Sequence, residues 1–183
     1  LEKVQVLSGG FQGAVKSGIS TNSGEEIFEK TSFILRENWS LPTSTLENVE
    51  QEIAENTATV IDVRDAYRYN GESEPIDLVA GHIPGVINIP FSENLDENGE
   101  FLSPEILKEK YQILLLDKPE KLIIHCGSGV TACHTILALD YAGFVTLSTD
   151  RKSADEVLEV PNLYVGSWSE WSRREGKEIA REV

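Results

Sequence analysis

An α/β fold around a mainly parallel central sheet flanked by helices is predicted by three features of the sequence. The run Thr59-Val60-Ile61-Asp62-Val63 is β-branched and almost wholly apolar, which suits a strand buried on both faces of a parallel sheet. Two further short apolar runs, Val86 to Ile89 and Lys121 to His125, read as strands of the same kind. Between and after them lie segments with helix-start signals and apolar residues at helical spacing, and this alternation of strand and helix is the pattern of an α/β sandwich.

In chain order, Val4, Val6 and Leu7 before Gly9-Gly10 read as the end of a short strand and a turn, and Phe11 to Lys16 as a brief helix. This piece is too small to bury a core of its own. From Ser17 the composition shifts to Ser, Gly, Thr, Asn and Glu with little apolar periodicity, as in a surface linker, and residues 17–40 are assigned to it. Residues 41–183 then form the main domain. Ser44 to Glu47 fits the S-x-x-E capping box, with Leu46, Val49 and Ile53 following on one face of a helix that runs to about Glu55.

After the strand at residues 59–63, a polar stretch reaches Gly81, and His82-Ile83-Pro84-Gly85 turns the chain into Val86 to Ile89. Ser103 before Pro104 marks the next helix start, with Ile106, Leu107, Leu114 and Leu115 as its expected buried side. Ala132 to Tyr141 reads as a helix closed by Gly143. Leu163-Tyr164-Val165 and a second capping box, Ser167 to Glu170, complete the pattern.

With 183 residues the chain can bury one good core, so one active site is expected. Its 31 acidic against 16 basic side chains give a net charge of -15, which repels phosphate backbones and anionic lipid surfaces. Nucleic acid and membrane are therefore not expected partners. No apolar run of membrane-spanning length is present, and Leu1 to Gly10 lacks the basic and apolar regions of a signal peptide. Two cysteines, Cys126 and Cys133, are too few for a disulfide scaffold, and their spacing matches no common zinc pattern, so no metal is expected and a reducing, cytoplasmic location is.

The candidate chemistry lies in the loop Cys126-Gly127-Ser128-Gly129-Val130-Thr131, between the strand ending at His125 and the following helix. In open α/β sheets this is the rim where reactive groups collect. With Gly127 and Gly129 free to adopt left-handed conformations, the backbone can curl until several N–H groups converge on the sulfur, and the helix N-terminus adds positive potential. Such a setting favours a thiolate nucleophile. The competing reading treats Cys126 as one more small buried apolar residue, and the loop glycines as geometric necessities of a turn. Cys133, among Ala132, Ile136 and Leu137, reads as a packed structural thiol.

The segment His125 to Cys133 resembles the active loop of the mercaptopyruvate and thiosulfate sulfurtransferases of the rhodanese superfamily. Asp62-Val63-Arg64, Arg68-Tyr69-Asn70-Gly71-Glu72, Gly81-His82-Ile83-Pro84-Gly85 and Gly166-Ser167-Trp168-Ser169-Glu170-Trp171 occur in the order and approximate spacing of that family's carboxyl-terminal domain. The likeness spans roughly residues 41–183, apart from an apparent insertion around Thr149 to Val160. It implies a rhodanese-like three-layer sandwich. It also makes residues 1–16 the remnant of a preceding rhodanese-like domain, through the similarity of Val4 to Phe11 to that domain's last strand and turn. The chain then looks amino-terminally truncated, and the absence of a domain that would cover part of the active-site cleft is expected to expose apolar surface on residues 41–183.

By the same resemblance, Cys126 carries sulfur as a persulfide, and Gly127, Ser128, Gly129, Val130 and Thr131 cradle it. Arg68 matches the family arginine that meets the anionic end of the donor; its planar fork suits a carboxylate or sulfonate, and a chain this acidic needs a local cation. Without the family match, Arg68 paired to Asp65, Glu72 or Glu74 is an equally good reading. Ile76 stands where mercaptopyruvate enzymes often carry a second arginine, whereas neutral Gly127 and Ser128 depart from the basic loops of thiosulfate-preferring members. On balance mercaptopyruvate is favoured over thiosulfate as donor. The family's proton relay from the loop serine uses a His and an Asp of the first domain, neither identifiable here, which leaves Ser128 as a hydrogen-bond donor. Thr131 bonds the persulfide, caps the helix, or does both. Asp62 and Arg64 are expected to brace the loop, His82 to serve a turn, and Trp168 and Trp171 to be core.

The implied reaction is two displacements through a covalent intermediate, from a small anionic sulfur donor to cyanide or a thiol such as thioredoxin or glutathione, with no cofactor. A cysteine phosphatase is a weaker reading, because it needs an arginine where Ala132 stands. A non-catalytic rhodanese-like binding module is the alternative from a different class.

Overall fold

The computed structural model describes residues 5–32, 34, 40–116, 119–147 and 158–182. Val4 and residues 148–157, which hold most of the expected insertion, lie outside the described residues, as does the side chain of Leu115. In chain order the elements are α1 (Gly10–Lys16), β1 (Thr43–Ser44), α2 (Leu46–Glu55), β2 (Thr59–Asp62), α3 (Ala66–Tyr69), β3 (Ile87–Asn88), a 3-10 turn (Phe91–Asn94), α4 (Pro104–Tyr111), α5 (Ile113–Leu116), β4 (Leu122–His125), α6 (Val130–Tyr141), β5 (Asn162–Tyr164) and α7 (Ser167–Trp171).

The five strands form one sheet in the order β1-β5-β4-β2-β3, and all four pairings are parallel. Parallel pairing follows from the crossover segments, mostly helical, that separate consecutive strands. After β2 the chain moves outward to β3, and after β4 it moves outward the other way to β5. The strand order therefore reverses between β2 and β4, whose ends lie side by side with Asp62 opposite His125. In open parallel sheets the crevice beyond the carboxyl ends at such a reversal is where ligands bind.

Alternation along the central strands divides the core in two. Ile61 and Val63, with Leu122, Ile124 and Cys126, face Leu107, Tyr111, Leu114 and the α6 residues Ala132, Ile136 and Leu139. Val60 and Ile123 face the opposite way, onto Leu46, Val49, Tyr69, Ile83, Tyr164, Trp168 and Trp171. Helices α4, α5 and α6 thus cover one face and α2 and α7 the other, giving the three layers expected. Each fully buried branched aliphatic side chain contributes about 1.5–3 kcal/mol, so these two layers hold the ends of β2 and β4 in fixed register.

Several local expectations give way to tertiary contacts. Helix α2 is capped by Thr45, whose hydroxyl accepts from Asn48 N while Asn48 closes the box. Ser44 is instead consumed by strand β1, which pairs with β5 at Tyr164 and takes a hydrogen bond from Asn162 at its hydroxyl. In α4 Ile106 is exposed and Tyr111 takes the inward place. Helix α6 begins at Val130, two residues earlier than expected, and leaves Cys133 exposed. Leu107, Ala132 and Ile136 already fill that layer, so Cys133 is turned outward and is not the packed thiol the sequence suggested. Residues 5–7 form no strand, and Val6 and Leu7 are exposed. Helix α1 buries only Ala14.

Candidate active site

Strand β4 ends at His125, and the chain enters α6 through four residues, Cys126 to Gly129. Gly129 sits at the N-cap with φ 82°, a left-handed conformation that glycine adopts without the steric cost of a side chain. A Cβ there would also stand 3.1 Å from the carbonyl oxygen of Val165. Among the described residues, the amide groups of residues 127–132 have no acceptor in the protein. They combine the unpaired first turn of α6 with the loop before it, an arrangement suited to negative charge. No hydrogen bond to Cys126 Sγ is present among the described residues, so these donors are left available.

The loop is oriented from behind by the first turn of α7. Trp168 N donates to Cys126 O at 3.0 Å and Ser169 N donates to Gly127 O at 2.9 Å. Fixing both carbonyls on the α7 side turns the peptide planes so that the following amides point away from it. Ser167 completes the grip: its hydroxyl accepts from Cys126 N at 3.2 Å and donates to Tyr164 O at 2.8 Å. The expected capping box at Ser167 to Glu170 is therefore not formed. Ser167 adopts φ 53°, in the left-handed region, and spends its side chain on Cys126 rather than on its own helix. Such strain persists where surrounding contacts over-determine it. Nothing in the local sequence signals this role, because the partner lies 41 residues away.

Beyond the end of β2, a buried charge network flanks the loop. Arg64 binds the Asp62 carboxylate at 2.5 Å, Gly81 O at 2.7 Å and Glu74 at 3.2 Å, and its guanidinium lies 4.6 Å above the Trp168 ring. Arg68, on α3, makes a two-pronged pair with the same Glu74, at 3.0 Å from Nε and 2.7 Å from Nη2. Burial opposes ionisation of Glu74, yet the Arg68 hydrogen bonds and the amides of Asp77 and Ile76 hold its carboxyl below the usual range. His125 is fully buried, with Nε2 unbonded and 3.9 Å from Asp62. Burial depresses its pKa, partly countered by Asp62.

The expected site residues fall into three groups. Cys126 lies on the rim at the end of β4 as expected, but is only 2% exposed and belongs to the α6-side core. Gly127 faces Arg68: a methyl group on it would lie 3.5 Å from Arg68 Nη2. Ser128 and Val130 are exposed, and Gly129 is buried. Thr131 is not the cap of α6, a place already taken by Gly129 without side-chain help; it is the second helical residue and its amide is one of the free donors. Arg68 is brought to the loop but not as a free cation, because of the two candidate roles it makes the pairing with Glu74. Its Nη1 has no hydrogen-bond or ion-pair partner among the described residues. Asp62 and Arg64 brace the loop through Gly81 and Trp168, and His82 stacks on Tyr69 at 3.7 Å in a turn role. Trp168 and Trp171 are core, as expected. No group of three or more metal-ligating side chains occurs among the described residues, and no described helix is long and apolar enough to cross a membrane.

Residues 45–174 match the model of the rhodanese-like domain. The chain is 37% identical to a probable 3-mercaptopyruvate sulfurtransferase of Pseudomonas aeruginosa, over 92% of this chain and 54% of that protein. It is 35% identical to a thiosulfate sulfurtransferase of Rattus norvegicus, over 93% of this chain and 54% of that protein. The structure is similar to 3-mercaptopyruvate sulfurtransferase from Leishmania major, with TM-score 0.65 and 28% identity over 90% of this chain and 42% of that one. The chain thus spans about half the length of the curated relatives it matches.

Proposed function

Since the chain belongs to the rhodanese-like family, we propose that it is a sulfurtransferase in which Cys126 carries sulfur as a persulfide between an anionic donor and a nucleophilic acceptor. The observation that carries this reading is the set of unpaired amides at residues 127–132, directly after a cysteine at the strand-order reversal of the sheet. Those donors favour the Cys126 thiolate before transfer and the negative outer sulfur after it. The names of the relatives, mercaptopyruvate and thiosulfate sulfurtransferases, support the same class of reaction.

In the first displacement the Cys126 thiolate attacks the donor's transferable sulfur. With thiosulfate the S–S bond breaks and sulfite leaves with the electron pair. With mercaptopyruvate the C–S bond breaks and the pyruvate carbanion, as its enolate, takes a proton. In the second, cyanide or a thiolate attacks the outer sulfur, and Cys126 leaves again as thiolate. Arg68 Nη1 and the amides of Gly127, Ser128, Gly129, Val130 and Thr131 bind the anionic groups. Mercaptopyruvate remains the favoured donor, and cyanide or a thiol such as thioredoxin or glutathione the acceptor, in the cytoplasm. We assign residues 41–183 to the sulfur-transfer unit, 17–40 to a linker and 1–16 to a preceding rhodanese-like unit.

Intact-mass analysis after exposure to mercaptopyruvate or thiosulfate tests the reading. Gain of one sulfur atom, lost on adding cyanide and absent in Cys126→Ser, is expected. The near-complete burial of Cys126 and the engagement of Arg68 by Glu74 favour a second reading, a non-catalytic binding module; failure of Cys126 to gain sulfur from either donor would decide for it.

A further inference from the structure

Asp77 is buried beside the loop, and no role assigned above uses its side chain. Its Oδ1 accepts from Ser169 Oγ at 2.7 Å and from Arg173 Nη1 at 3.0 Å. Its Oδ2 is buried and has no hydrogen-bond partner. Arg68 Nη2 stands 3.6 Å from that oxygen, near enough to attract but beyond a hydrogen bond. A methyl group on Gly127 would lie 3.8 Å from it and 3.5 Å from Arg68 Nη2, so Oδ2 and the Arg68 guanidinium flank the same side of Gly127. An unsatisfied buried carboxylate oxygen is costly, and a ligand group that donates a hydrogen bond there is favoured over one that brings further negative charge.

The charges around that space cancel. Asp62, Glu74 and Asp77 stand against Arg64, Arg68 and Arg173, all joined by the contacts above. The network therefore offers direction without net positive charge, and a ligand's second negative charge gains nothing from it. Ser169 ties this oxygen pair to the reacting loop, since its amide holds Gly127 O while its hydroxyl holds Asp77.

We propose that Asp77 is a specificity-determining residue of this site: its free oxygen discriminates against doubly charged donors and favours acceptors that carry a protonated nitrogen beside the thiol. The inference rests on the sulfur-transfer reading and names the substrate class it selects. Discrimination of this sort is a difference between two ligands, achieved as much by rejecting one as by holding the other.

The test compares kcat/KM for mercaptopyruvate and thiosulfate in the wild type, Asp77→Asn and Arg173→Gln. It also compares discharge of the sulfur-loaded protein by cysteamine and by 3-mercaptopropionate. Asp77→Asn raises the thiosulfate-to-mercaptopyruvate ratio about tenfold and lowers the cysteamine-to-mercaptopropionate ratio by a similar factor, an order of magnitude expected for one partly buried charge. Comparing ratios between proteins cancels the intrinsic reactivity of each thiol. Arg173→Gln, on a half-exposed side chain that leaves the core untouched, shifts the donor ratio the opposite way and keeps the inference testable if Asp77→Asn does not fold. Sulfur loading with both ratios unchanged within about twofold overturns this inference alone. Absence of sulfur on Cys126 from either donor overturns the sulfur-transfer reading and this inference with it.

Discussion

The Ser167 hydroxyl accepts the Cys126 amide at 3.2 Å while donating to Tyr164 O at 2.8 Å, which ties the end of β4 to the end of β5 directly behind the candidate nucleophile. Both residues are buried, so the Cys126 amide has no water to fall back on. Ser167→Ala leaves it unsatisfied and is expected to lower stability by about 1–3 kcal/mol, measured as a shift of the urea midpoint. Sulfur loading of Cys126 slows in the same variant, because the loop loses one of its three ties to α7. A variant as stable and as quickly loaded as the wild type contradicts the role given to Ser167.

The two loop glycines are expected to fail differently. Gly129 has φ 82° and a close neighbour in Val165 O at 3.1 Å from a Cβ, so Gly129→Ala combines a left-handed strain of about 1–3 kcal/mol with a tight backbone contact. Thermal unfolding shows it as a clear fall in Tm. At Gly127 a methyl group meets Arg68 and Asp77 only at ordinary contact distances of 3.5–3.9 Å. Gly127→Ala therefore keeps the wild-type Tm within about 0.5 kcal/mol of stability, yet fills the space where a donor would rest and raises KM. Equal losses of Tm in the two variants would refute this division.

Much of this was legible in the sequence because it is local. The apolar runs at residues 59–63 and 121–125, the glycines after Cys126 and the helix that follows place the nucleophile at a strand end without any long-range information. Arg68 was legible as a residue at the site but not as one already paired, since Asp65, Glu72 and Glu74 were equally available in sequence and only the fold of the 72–80 loop selects Glu74. Ser167 read as a helix cap, and Asp77 not at all, because their partners are 41 and 92 residues distant. Cys133 was misplaced for a related reason: α6 is apolar nearly all round, so its pattern does not say which face the α4 side chains cover.

Arg64 joins Asp62, Glu74, Gly81 and the Trp168 ring, and no other group can take its place at that centre. Arg64→Ala strands the buried Asp62 carboxylate, while Glu74 keeps its pair with Arg68, and is expected to cost about 3–5 kcal/mol, enough to unfold much of the population near physiological temperature. Arg64→Lys restores a charge but not the planar fork, and recovers only part of that loss. Chemical denaturation of both variants orders them: wild type, Lys, Ala. A lysine variant matching the wild type would show that the pair acts by charge alone.

Acid is expected to destabilise this protein in two stages with separable causes. Burial depresses the pKa of His125, and burial with Lys110 nearby depresses that of His134, so both rings stay neutral in the folded protein at a pH where the unfolded chain protonates them. The unfolded state then binds more protons, and stability falls as pH drops below about 6.5, the ordinary histidine value, until the folded pKa values are reached. Glu74 acts at lower pH. Its carboxyl is held below the usual range, so the stability it supplies is complete above about 4.3 and is lost as pH falls through its folded value. Unfolding free energy measured from pH 8 to pH 3 is expected to decline first across the histidine range and again below it. His125→Asn and His134→Asn each remove part of the first decline and leave the second, whereas Glu74→Gln lowers stability at neutral pH and removes part of the second, to which Glu47, Glu52, Asp96 and Glu105 also contribute. A first decline of wild-type size in the double histidine variant would show that other groups, and not these two buried rings, set the onset of acid unfolding.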